Sequence, residues 1–133
     1  MHVRFSQGSE LTGSIISAAI EVHRTLGPGL LESIYHWALA QELAIRELRF
    51  SSEQRVRIEY KGQVRDEPLR YDLLVEDCVL VEVKAVDAIH GVHKAQLLTY
   101  MKLLNVPLGL ILNFHQEKLV DGVARLILPG ANR

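Results

Sequence analysis

The stretch that most constrains this chain is Tyr71 to Val86, YDLLVEDCVLVEVKAV, which reads as two β-strands joined by a tight acidic turn at Glu76 and Asp77. Asp72, Glu82 and Lys84 interrupt an otherwise apolar run. Glu82 and Lys84 are two residues apart, so on a strand they project from one face. A hydrophobic strand with a carboxylate and an ammonium on one face must pair them, solvate them or give them a metal, because isolated buried charge is costly.

The rest of the chain reads as one domain, residues 1–133, with a core over about 10–128. Its 133 residues are enough for a real core, and 48% hydrophobic with 23% charged residues is a globular composition rather than a disordered one. A formal charge of −1 gives no overall basic signature, so nucleic-acid binding would need a local patch or metal ions. The lone cysteine, Cys78, rules out an intrachain disulfide and reads as a small strand residue. The opening MHVRFSQGSE has no apolar signal region and no run reaches membrane-spanning length, so the expected location is cytoplasmic, or nucleoid-associated if the chain meets DNA, with no membrane partner.

Residues 10–26 carry an apolar stripe (Leu11, Ile15, Ala18, Val22, Leu26) at helical spacing, ended by Gly27-Pro28-Gly29. A second helix is expected from about Leu30 to Leu48, with Ile34, Ala38, Leu39, Leu43 and Ile45 facing inward. Glu32 in its first turn reads, on its own, first as favourable charge near a helix N-terminus. Tyr35 reads as core, His36 as surface and Trp37 as packing. From Phe50 the period becomes two, with Val56, Ile58 and Tyr60 alternating with Arg55, Arg57 and Glu59, and Pro68 in the returning strand marks an edge or a bulge. Val92 to Leu104 is a third helix. Val92, Ala95, Leu98 and Met101 are expected inward, with His93, Gln96 and Tyr100 on a neighbouring face. Leu108 to Phe114 is a buried strand, and Lys118–Val120 with Ala124–Leu128 form a hairpin around Asp121-Gly122. The order is approximately ααβββαβββ, an α/β (mixed α+β) chain whose mixed central sheet is flanked by helices.

In the central hairpin, carboxylates on adjacent strands can share a hard divalent cation, which polarises a phosphodiester oxygen and activates a water. Lys84 can then stabilise developing negative charge. The register tests this. A plain two-residue loop pairs Val75 with Cys78 and points Asp72 away from Glu82. A three-residue loop with Val75 opposite Val79, or a bulge, puts Asp72 opposite Glu82. The alternative is an exposed sheet face with solvated charges. His90 and His93 lack the further Cys or His that would complete a zinc site.

Gly29-Leu30-Leu31-Glu32-Ser33-Ile34-Tyr35 resembles the signature of the small bacterial and archaeal GxxExxY proteins, a branch of the PD-(D/E)xK nuclease superfamily. Asp72, Glu82-Val83-Lys84, Gln96-Leu97-Leu98-Thr99-Tyr100 and Leu112-Asn113-Phe114 follow in the family's order and spacing, over roughly residues 10–128. Tyr71-Asp72 stands where the superfamily has Pro-Asp. The resemblance implies a restriction-endonuclease-like core, with Asp72 and Glu82 as metal ligands, Lys84 as the catalytic lysine and Glu32 as a helix-borne acid that completes or orients the metal site. Gln96 and Tyr100 resemble an element that positions the site or the nucleic-acid backbone. His93 is left between phosphate contact, support of the site and packing, and Asn113 reads as a polar cap on its strand.

The expected function is hydrolysis of phosphodiester bonds in nucleic acid, DNA ahead of RNA, with Mg²⁺ as cofactor and Mn²⁺ able to replace it. A non-catalytic module that binds nucleic acid or a protein is the alternative. Hydrolysis or binding of a small phosphorylated ligand is a weaker third. Arg55, Arg57, Lys61, Arg65 and Arg70 are candidates for backbone contacts, and a homodimer would enlarge the binding surface.

Overall fold

The computed structural model describes residues 1–133. Helix α1 (Phe5–Leu26) buries Ile15, Ala18, Ala19 and Val22, and it ends at Gly27, whose φ of 75° and ψ of 174° suit glycine alone. Helix α2 (Glu32–Ile45) follows, then strands β1 (Phe50–Tyr60), β2 (Gln63–Val75) and β3 (Val79–Lys84). Helix α3 (Gly91–Leu104), strand β4 (Leu108–Asn113), a 3₁₀ turn (Leu119–Gly122) and strand β5 (Val123–Ile127) complete the chain. The sheet runs β1-β2-β3-β4-β5, antiparallel except for the parallel β3–β4 pair, which α3 connects. The mixed sheet flanked by helices is as expected.

Two cores lie on opposite faces of this sheet. Val79, Val81 and Val83 alternate along β3 towards α1 and α2, where they join Leu108, Leu110 and Leu112 of β4. Leu80 and Ile111 face the other way, onto Leu97, Met101 and Leu104 of α3. By the same alternation Glu82 and Lys84 lie on the α3 face. Gly109 allows α3 to approach: a Cβ there would stand 2.6 Å from Met101 Sδ and 3.1 Å from Leu97 Cγ.

Several elements differ from the sequence expectation. Residues 118–120 are not a strand, because the chain turns as a 3₁₀ helix that delivers Leu119 to the core, and the order is therefore ααβββαββ. The inward row of α3 is Leu97, Met101 and Leu104, whereas Val92 is 71% exposed and Ala95 faces solvent. On α2, Tyr35, Leu39 and Leu43 are buried, while Ile45 and Trp37 are exposed and Ile34 lies on the surface. Tyr35 reaches between the two helices. Its ring stacks on Phe114 at 4.6 Å, and its hydroxyl donates to the Gly27 carbonyl (2.5 Å) and accepts from the Leu30 N–H (3.0 Å).

The β2–β3 turn is made without glycine. Glu76 (φ 51°) and Asp77 (φ 56°) both adopt the left-handed conformation. Arg49 pins Glu76: its N–H (3.1 Å) and guanidinium (3.0 Å) donate to the carboxylate, holding that carboxyl below the usual range. Cys78 N–H bonds to Val75 O at 2.9 Å, yet the ladder pairs Val75 with Val79, so Cys78 is the extra residue of a three-residue loop. Cys78 itself is fully buried, as a small strand-end residue would be.

Candidate active site

The register is the one that brings the two carboxylates together. β2 and β3 pair only as Leu73–Val81, Leu74–Leu80 and Val75–Val79, and the next position sets Asp72 against Glu82. Beyond that point β2 leaves β3. On its other side β2 shifts register against β1, so that Tyr71, Asp72 and Leu73 lie against Ser52 alone, between the Ser51–Leu74 and Glu53–Arg70 pairs. Before Leu73, β2 keeps β1 as its sole partner, and a cleft lies beside Asp72.

On β3 the N–H groups of Val81, Val83 and Ala85 point to the same edge. Where β2 has departed, side chains replace its backbone carbonyls. Asp72 Oδ2 accepts from Val83 N–H at 2.7 Å, and Glu32 Oε2 accepts from Ala85 N–H at 3.3 Å. Both acids are thereby fixed along one strand edge, Asp72 from the sheet and Glu32 from the first turn of α2. The Asp72 carbonyl, turned the other way, accepts from His36 Nε2 (3.0 Å) and Ser52 Oγ (3.1 Å).

Glu82 is half-buried on the α3 face. Burial and the adjacent Asp72 carboxylate push its pKa from 4.5 up to about 7, and Glu32 adds to the rise, while Lys84 and the Asp72 N–H act against it. The site thus holds more negative charge than its lysine offsets.

Two cavities meet at Asp72. One is lined by Arg70, Tyr71, Asp72, Glu82, Gln96 and Tyr100 and has a volume of about 190 Å³. The other, of about 360 Å³, is lined by Glu32, Ser33, His36, Asp72 and Val83. The structure therefore gathers Asp72, Glu82, Gln96 and Tyr100 around one cleft and places Glu32 in the adjoining one. Lys84 lies on the same sheet face as Glu82, half-buried, but lines neither cavity. No three His, Cys, Asp or Glu side chains stand close enough together to cage a metal. A magnesium-type ion does not need such a cage, since it keeps several waters and takes one or two carboxylates. The donors present are all hard oxygens, and the surplus negative charge at Glu82 is what a divalent cation would relieve, so the residues fit that group.

Other candidates are engaged in local contacts. His93 Nδ1 accepts the His90 N–H at 3.1 Å, securing the start of α3. Asn113 is buried opposite Lys84. Its Oδ1 accepts from Val86 N–H and His115 N–H, and its Nδ2 donates to Val86 O, so it caps the ends of β3 and β4. Of the basic residues, Arg55 pairs with Asp66, Arg65 with Glu67 and Arg70 with Glu53, whereas Lys61 sits 5.3 Å from the Tyr60 ring. Sequence reasoning missed His36, which it assigned to the surface, and Ser52. The only signal for His36 is its position four residues after Glu32, one helical turn along the same face.

No helix is long and apolar enough to cross a membrane. No curated protein and no solved structure gave a match to the chain. A family model described as the PD-(D/E)XK nuclease superfamily matches residues 9–126, from within α1 into β5. That span contains both carboxylate-bearing strands, α3 and the parallel β3–β4 pair, and the mixed sheet is consistent with the restriction-endonuclease-like fold. The chain belongs to the PD-(D/E)XK nuclease superfamily.

Proposed function

We propose that this chain is a divalent-metal-dependent nuclease of the GxxExxY branch, hydrolysing phosphodiester bonds in nucleic acid, DNA ahead of RNA. The observation that carries this reading is the convergence of Asp72 and Glu82 at an open, polar cleft, with Glu82 raised to about 7 by burial and by its neighbour. Asp72 and Glu82 would hold Mg²⁺, with Mn²⁺ able to substitute and Glu32 supporting from the adjoining cleft. The bound cation supplies charge neutralisation at the phosphate and an acidified water.

The chain's own residues do the rest. Asp72, locked onto the Val83 N–H, keeps its second carboxylate oxygen for the cleft. Gln96 and Tyr100 offer an amide and a hydroxyl to the phosphate backbone from α3. Lys84 places a positive charge on the face where negative charge develops, with electrostatic stabilisation as its role. Arg70, paired with Glu53, is the one cation in the wall of this cleft.

The alternative, a nuclease fold used only for binding, draws support from Lys84 lying outside the cleft lining. One assay separates the two. Wild type is incubated with single-stranded, duplex and branched DNA and with RNA, in Mg²⁺ or Mn²⁺, beside Lys84→Ala and Asp72→Asn. Cleavage by wild type should fall by two to three orders of magnitude in each variant, about the loss seen when one transition-state contact is removed. Equal cleavage by all three proteins would remove the site assignment. Salt-sensitive binding without cleavage would establish the binding module.

A further inference from the structure

We propose that His36 and Ser52 are positioning residues that together clamp the Asp72 peptide and so keep its carboxylate aimed at β3. The catalytic part of this inference rests on the nuclease reading; the geometric part does not. The two donors come from different elements, α2 and β1, and converge on a single carbonyl oxygen at 3.0 and 3.1 Å. That carbonyl belongs to the central residue of the three that lie against Ser52, where β2 is out of register with β1 and has parted from β3.

No register pair with β1 or β3 includes Asp72. An irregularity of this kind is a local choice, and shifting it by one residue turns every affected side chain to the opposite face. Asp72 would then lose the Val83 N–H and its position beside Glu82. A regular ladder is the competing arrangement, and the two side-chain donors favour the bulged one because they satisfy a carbonyl that only the bulge presents to them. His36 is well suited to this: half-buried, it spans from α2 to the sheet and commits Nε2 as the donor. With Nε2 protonated and engaged, the imidazole acts as a strut whose job does not require a change of charge. Through it, the helix that carries Glu32 is tied directly to the strand that carries Asp72.

Amide exchange reads the clamp without any reaction. In His36→Ala, and more so in His36→Ala/Ser52→Ala, the Val83 amide should exchange roughly tenfold faster or more as its carboxylate partner is released. The Phe114 amide, bonded to Lys84 O on the opposite edge of β3 at 2.8 Å, should keep its rate and report that the sheet is intact. His36→Gln, whose side-chain amide can reach as Nε2 does, should restore Val83 protection. An unchanged Val83 amide in the double variant would overturn the proposal. In the cleavage assay, kcat should fall by about 10- to 100-fold with little change in KM, as when a residue that orients a ligand is removed, and His36→Gln should recover much of it. A rise in KM alone, not recovered by glutamine, would make His36 a substrate contact and overturn the positioning role. Should wild type cleave no substrate, the nuclease reading fails, while the Val83 amide still decides whether the clamp exists.

Discussion

Replacing Glu82 with glutamine is expected to make the protein more stable at pH 8 and, in the same step, inactive. In the unfolded chain this carboxyl titrates near 4.5, and in the fold burial and Asp72 raise it to about 7. Below pH 4.5 it is protonated in both states and costs nothing. Between 4.5 and about 7 the unfolded chain gives up the proton while the folded chain keeps it, so wild-type stability falls as pH rises through that window. Each pH unit crossed there costs about 1.4 kcal/mol, and with partial solvent screening the whole loss is roughly 2–3 kcal/mol. A glutamine amide does not titrate. Urea unfolding should therefore show Glu82→Gln ahead by about that amount at pH 8 and level with wild type at about pH 4. Under the proposed nuclease function, cleavage should drop on the order of a thousandfold, since several kcal/mol of charge stabilisation at the phosphate would depend on the metal site. On the proposed metal site, Mg²⁺ should raise the wild-type Tm more at pH 8 than at pH 5, because a cation there would bind the ionised carboxylate, and the response should be lost in the variant. Equal stability of the two proteins at pH 8 would show that Glu82 is not strained by its surroundings. Such a trade between stability and activity is common where function needs unfavourable charge.

The second large effect is predicted at Tyr35, which lines neither cavity at Asp72. Truncation to alanine removes a fully buried ring stacked on Phe114, together with both hydrogen bonds to the Gly27–Leu30 loop. The expected cost is about 3–5 kcal/mol, the range for leaving a cavity in place of an aromatic ring. In thermal unfolding that is a drop of roughly 10–20 °C for a chain of this size. Tyr35→Phe keeps the stack and removes both hydrogen bonds to a loop that water reaches, at about 0.5–1.5 kcal/mol. A Tyr35→Phe variant as stable as wild type would mean that the loop does not depend on the hydroxyl. The loop leads directly into Glu32, so the pairing of this tyrosine with the acid three residues before it has a mechanical origin: the ring fixes where α2 begins, and so where Glu32 stands.

What the sequence made readable follows from periodicity and parity. Strand alternation put Glu82 and Lys84 on one face, and the parity of the Glu76–Asp77 loop reduced the site to a question of one residue, which Cys78 answers by standing outside the ladder. Helical spacing located the three helices and the buried face of α1, but it misjudged part of α2 and most of the α3 stripe. Val92, Ala95 and Met101 share a stripe, and so do Leu97, Met101 and Leu104; only the approach of α3 over Gly109 selects between them. Asp121-Gly122 has the chemistry of a hairpin turn, yet a strand at 118–120 would leave Leu119 without its place in the core. His36 was beyond reach for a different reason. Its partner is a backbone carbonyl 36 residues away, and side-chain identity carries no trace of such a bond.

The strand edge that Asp72 and Glu32 occupy has a consequence for handling the protein. An open β-strand edge with free N–H groups is a template for pairing with another chain, and charged side chains are the usual guard against it. Here the guards are the acids themselves, seated on the Val83 and Ala85 N–H groups. Alanine at either position would uncover the edge, so a variant made that way to test the proposed site would also be more prone to self-association. Asparagine at position 72 and glutamine at position 32 keep an acceptor oxygen over each N–H, and they leave the edge closed while the charge is removed.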